Sequence, residues 1–127
     1  MTRAAVDRVV IMVEDHPEVL GLGREMLEDA GFSVTAFGTA DEALAAIMAG
    51  EPCDLLFTDI IMPGGIDGLE LAAHVSRLRP MLPVLLTTGW SDQVQGQKSS
   101  GLPLIGKPYR QADLVARVSE LLGMSAG

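Results

Sequence analysis

The chain has 127 residues, 48% of them hydrophobic, and a net charge of −8. That length suits one domain with a full core, and the acidic balance argues against direct nucleic-acid binding, which needs a basic footprint. A single cysteine, Cys53, excludes an internal disulfide, and no stretch approaches the ~18 consecutive apolar residues of a membrane span.

The opening residues MTRAAVDR lack the apolar centre of a signal peptide, so a reducing, cytoplasmic setting is expected. No repeat, linker or low-complexity tract interrupts the chain, and residues 1–127 are expected to form a single domain with its core at about 9–122. Cys53 sits beside an apolar run and reads as a small core residue.

Short apolar runs alternate with longer segments of helical period, the pattern of a parallel sheet covered by helices on both faces. Val9, Val10, Ile11, Met12 and Val13 are apolar on both faces, as a central parallel strand must be. Glu14 and Asp15 follow directly. Pro17 suits the first turn of a helix, where its missing N–H is harmless. Val19, Gly23, Met26, Leu27 and Ala30 mark one stripe of that helix, and Gly31 ends it. Gly21 and Gly23 weaken it, each by about 1 kcal/mol relative to alanine.

Ser33–Phe37 alternates more than the first strand, which fits an edge position. Thr39 and Glu42 have capping-box spacing ahead of Ala43, Leu44 and Ile47, and Gly50 and Pro52 stop that helix. Leu55, Leu56 and Phe57 begin a buried strand that runs out at Asp59. A turn at Pro63-Gly64-Gly65 leads to a helix carrying Leu71, Val75 and Leu78, which Pro80 ends. Val84–Thr88 is the fourth strand and Leu104–Ile105 a short fifth, with Lys107 just beyond. The last helix carries Leu114, Val115, Val118, Leu121 and Leu122, with Gly123 as its stop. Between Ser91 and Gly101 the only apolar residue is Val94. A helix there has no face to bury, so the fourth helix is expected to be short or absent.

Charged groups seldom follow buried strands directly unless they line the crevice at the sheet's carboxyl edge, where open α/β sheets place their chemistry. Glu14, Asp15 and Asp59 offer the hard oxygens that suit Mg²⁺. Without a cation they repel: two unit charges 4 Å apart at an effective dielectric of 20 cost ~4 kcal/mol. One such acid reads as a solvated strand end; three beside a lysine read as a site. A carboxylate can act as nucleophile to form an acyl phosphate, with metal and lysine neutralising the phosphoryl oxygens. Lys107 precedes Pro108, so its backbone is expected to be extended. Thr88 can donate its hydroxyl to a phosphoryl oxygen.

VEDHPEV at 13–19, FTDIIMPGGIDGLEL at 57–71, PVLLTTG at 83–89 and GKPY at 106–109 together resemble the receiver domains of two-component response regulators. The resemblance implies a flavodoxin-like doubly wound five-stranded parallel sheet of order 2-1-3-4-5. It also implies that Asp59 is the phosphoacceptor, Asp15 a direct Mg²⁺ ligand and Glu14 an acid acting through metal-bound water. Ile61 matches the position whose main-chain carbonyl binds the metal, Thr88 the switch hydroxyl and Lys107 the phosphate-pairing lysine. The partner implied is a histidine kinase or phosphotransfer protein. Such a module catalyses its own phosphorylation and dephosphorylation rather than turning over a substrate.

Two features depart from the family pattern. Leu104 occupies the position of the second, usually aromatic, switch residue, and one extra glycine follows Pro63. With LLTTG, the loop looks most like receivers attached to hybrid histidine kinases. An attached kinase domain in a longer protein, or a stand-alone regulator without output domain, are the settings this implies. A Mg²⁺-dependent phosphohydrolase is the enzymatic alternative, but it needs an acid two residues past the nucleophile, where this chain has Ile61. A docking module whose chemistry has lapsed is the third reading, and the five polar site residues argue against it.

Overall fold

The computed structural model describes residues 8–62, 64–89 and 101–124. Side-chain alternation along the strands decides the architecture. β1 (Val9–Val13) sends Ile11 and Val13 to one apolar cluster and Val10 and Met12 to another. β3 (Leu55–Asp59) does the same with Leu56 on one side and Leu55 and Phe57 on the other. Strands buried on both faces must be covered twice, which a parallel sheet with flanking helices achieves.

The remaining strands are β2 (Ser33–Phe37), β4 (Val84–Thr88) and β5 (Leu104–Gly106). All pairings are parallel and the order is β2-β1-β3-β4-β5, so the doubly wound sheet and the edge position of the second strand hold. The first cluster is closed by α2 (Ala40–Met48) through Ala43 and Ile47, and by α3 (Gly68–Leu78) through Leu71 and Val75. The opposite one is closed by α1 (Pro17–Asp29) through Leu27 and by the C-terminal helix α4 (Gln111–Leu121) through Leu114 and Val118. The expected shortening of a helix over 91–101 lies outside the described residues.

Local signals mostly match the sequence. Pro17 opens α1, and Gly31 leaves it at φ 98°. Thr39 caps α2 by accepting from the Glu42 N–H at 3.2 Å, but Glu42 turns its carboxylate to the Thr39 hydroxyl, so the box is only half made. The complete capping box is at α3, where Asp67 accepts from the Glu70 N–H at 2.9 Å and Glu70 accepts from the Asp67 N–H at 3.2 Å. Leu78 is not part of a buried stripe: it is 50% exposed. Met12 and Met62 fill core, whereas Met48 and Met81 face outward.

Two glycines are required by close approach. Gly68 lies so near the Asp59 carbonyl that a Cβ would collide with it, which lets α3 begin hard against the end of β3. Gly23 weakens α1 as a helix former but faces Met12 and Tyr109 across a gap too small for a methyl group. Cys53 is half-buried and donates to the Leu55 carbonyl at 3.3 Å; burial pushes its thiol up to about 11, so it is inert. No helix among the described residues is long and apolar enough to cross a membrane.

Candidate functional site

The sheet reverses direction of growth at β1, with β2 on one side and β3 on the other. Ligands of open α/β sheets bind outside the carboxyl ends of the strands at such a point. Here the loops leaving β1 and β3 diverge around an open cleft lined by Glu14, Asp15, Asp59, Ile61, Met62 and Lys107, with His16 and Val19 from the start of α1.

Each polar group is held by its element. Glu14 stays in the ladder for one residue past β1, its N–H donating to the Phe37 carbonyl at 3.1 Å. Its side chain is 2% exposed, and its Oε2 accepts from the His16 N–H at 3.1 Å. Asp59 ends β3 and is 5% exposed; its Oδ1 accepts from the Ile61 N–H at 3.2 Å. Asp15 is exposed at the rim. One carboxylate oxygen from each of Glu14, Asp15 and Asp59 lies within 4.8 Å of the other two.

Lys107 reaches into the cleft from beyond β5. Its Nζ is 2.6 Å from Glu14 Oε1 and 2.6 Å from Asp59 Oδ2, so one ammonium bridges two buried acids. The Lys107–Pro108 peptide is cis. Burial is the largest influence on Glu14 and raises its carboxyl above the usual range, with the lysine pulling the other way. Burial alone would lower the Lys107 ammonium, but its bonds to Asp59 and Glu14 outweigh it and the net shift is upward.

Glu14, Asp15, Asp59, Ile61 and Lys107 thus share one cleft, as their positions at strand ends suggested. Thr88 closes β4 one strand over, fully buried, paired with Gly106 across β5. Leu104 begins β5 half-buried, its carbonyl accepting from Arg117 Nη2 at 3.3 Å. Sequence reasoning missed the backbone donors at His16 and Ile61, because amides carry no residue signature. It also gave Lys107 no partner in the cluster itself, although a cation among three acids had no other neutralising role to fill.

The family model for the response regulator receiver domain matches residues 10–119. The chain is 36% identical over 110 residues to nitrogen assimilation regulatory protein NtrX of Azorhizobium caulinodans, an alignment covering 84% of this chain and 24% of that one. It is 30% identical over 116 residues to response regulator receiver protein CpdR of Brucella abortus, covering 89% and 95% respectively. The chain therefore spans about a quarter of the length of NtrX and nearly all of CpdR. These relatives are response regulators, and the expected likeness to receivers of hybrid kinases is not borne out. Among solved structures, response regulator protein TrrA of Thermotoga maritima in complex with Mg²⁺-BeF superimposes with a TM-score of 0.79 at 27% identity, covering 90% of this chain and 98% of that one.

Proposed function

Because the chain belongs to the response regulator receiver domain family, we propose that it accepts a phosphoryl group onto Asp59 from the phosphohistidine of a histidine kinase or phosphotransfer protein. The observation that carries this is the Asp59 carboxylate, nearly buried yet lining an open cleft, with a lysine ammonium 2.6 Å away and two further acids beside it. In the reaction a carboxylate oxygen of Asp59 attacks phosphorus, the phosphorus–nitrogen bond breaks, and the imidazole leaves with its electron pair and takes a proton from water. The product is an acyl phosphate, which hydrolysis later returns to the carboxylate.

The donor set fits Mg²⁺: three hard carboxylate oxygens converge within 4.8 Å, with open solvent for the waters that this ion keeps. Asp15 and Asp59 would hold it directly, with the Ile61 carbonyl, and Glu14 through water. When bound, the ion neutralises charge on the phosphoryl oxygens. The chain's own residues do the rest. The Ile61 N–H orients one oxygen of Asp59, and Lys107, already in place, pairs with the incoming anion as it releases one of its carboxylates. Thr88 donates its hydroxyl to a phosphoryl oxygen and so senses the modified state.

Ile61 cannot protonate a leaving group, so steady turnover of phosphate esters is not expected. Incubation with acetyl phosphate and Mg²⁺ should add a single phosphoryl group, seen by intact mass and abolished by chelation. Continuous release of phosphate from small esters at a rate proportional to protein would support a hydrolase instead.

A further inference from the structure

Lys107 spans the gap between Glu14 and Asp59, yet β5 ends at Gly106, one residue before it. Its N–H donates to the Thr88 carbonyl at 2.9 Å, and the chain then turns away. Something further along must fix the height of the ammonium above the sheet, because a long, flexible side chain gains nothing from its partners until its backbone is set.

Tyr109 makes the same crossing one layer lower. Its ring meets Phe57 edge-on, with centroids 5.6 Å apart and planes at 63°. Its hydroxyl borders the notch over Gly23: a Cβ there would lie 2.7 Å from that oxygen and would collide with Met12 Cε. Phe57 lies two residues before Asp59, and Met12 two before Glu14. In a strand such neighbours share a face. The lysine therefore joins the ends of β1 and β3 by charge, and the tyrosine joins the same two strands by packing directly beneath.

The fit depends on shape. The Tyr109 hydroxyl is buried without a hydrogen-bond partner, which is a penalty. The ring, its edge contact with Phe57 and the space left by Gly23 hold it in place. We propose that Tyr109 is a positioning residue, seated in the Gly23 notch against Phe57 so that Lys107 Nζ stands between Glu14 and Asp59. This rests on the function proposed above only in giving Lys107 a part in phosphoryl transfer.

The test is a double-mutant cycle of Tyr109→Leu and Lys107→Met, read as thermal midpoints in EDTA and as phosphorylation rates from acetyl phosphate with Mg²⁺. The midpoint shift caused by Lys107→Met should be less than half as large in the Tyr109→Leu background. Tyr109→Leu should slow phosphorylation about tenfold, and add no slowing once Lys107 is Met. Tyr109→Phe, which keeps the ring, should match the wild type. Equal midpoint shifts in both backgrounds would overturn the proposal and leave Tyr109 an ordinary core residue.

Should Tyr109→Leu not fold, Gly23→Ala applies the same question from the other side. Its methyl group presses on the hydroxyl, so phosphorylation should slow severalfold, and adding Tyr109→Phe should restore most of the rate. Failure to restore it would overturn the proposal equally. A wild type that takes no phosphoryl group but shows the midpoint coupling would refute the function of the site and leave the positioning intact.

Discussion

At Lys107, one ammonium neutralises two buried carboxylates, while Asp15 adds a third negative charge at the rim. The cluster is one charge short of balance or worse, and Asp59 feels one attraction against two repulsions. Replacing Asp59 by Asn keeps the shape, removes both repulsions and leaves Lys107 facing Glu14 alone. In EDTA, Asp59→Asn is expected to stabilise the fold by about 1 kcal/mol or more, since each such charge contact is worth a few kcal/mol at an effective dielectric near 20. Urea unfolding checks this, and a lower midpoint for the variant would mean that the lysine attraction outweighs the repulsion. Glu14 adds a pH signature. Its folded carboxyl titrates above the ordinary value of 4.5, so between that value and the raised one the native state binds the extra proton. Stability of the metal-free protein should therefore gain a falling component as pH rises through that window. Glu14→Gln should remove that component from a plot of unfolding free energy against pH, and an unchanged slope would contradict the assignment to Glu14.

The elements show where sequence signals are readable and where they are not. Asp67 and Glu70 form the one complete capping box described, although Thr39 and Glu42 carry the same spacing. The Asp67 signal is masked because the first helical residue is Gly68, a poor helix former, in a stretch that already reads as a turn. The reason for that glycine is three-dimensional: the Asp59 carbonyl occupies the space a side chain would need. Asp67→Ala should cost about 1 kcal/mol by chemical denaturation, within the usual range for N-cap loss. Thr39→Ala, which breaks half a box, should cost no more; the reverse order would show that the Glu70 bond contributes nothing. Gly23 carries the same lesson. Helix propensity marks it as a defect, and only the approach of Met12 and Tyr109 from other elements explains it. Leu78 fails in the opposite sense, lying at helical spacing from Leu71 yet past the edge of the sheet's cover.

Across the whole molecule, the β2-β1-β3-β4-β5 order and the meeting of acids and lysine were legible because strands buried on both faces leave polar residues only at their ends. Glu14, Asp59 and Lys107 stand one after another at adjacent strand termini, so their convergence follows from topology. The bridging geometry of Lys107 and the layer beneath it were not legible, because they depend on which side chains pack at the same height on three separate strands. Binding of Mg²⁺ to the native state should raise the melting temperature, by the equivalent of about 1.4 kcal/mol at ten times its dissociation constant. Asp15→Asn should remove most of that rise, and an equal rise in the variant would place the ion elsewhere. The most direct test of the central reading locates the phosphoryl group itself. Protein treated with acetyl phosphate and Mg²⁺ is reduced with borohydride, which converts an aspartyl phosphate to homoserine, and the peptides are sequenced by mass spectrometry. The expected result is homoserine at position 59 and nowhere else; its appearance at 14 or 15 instead, or its absence, would contradict the account.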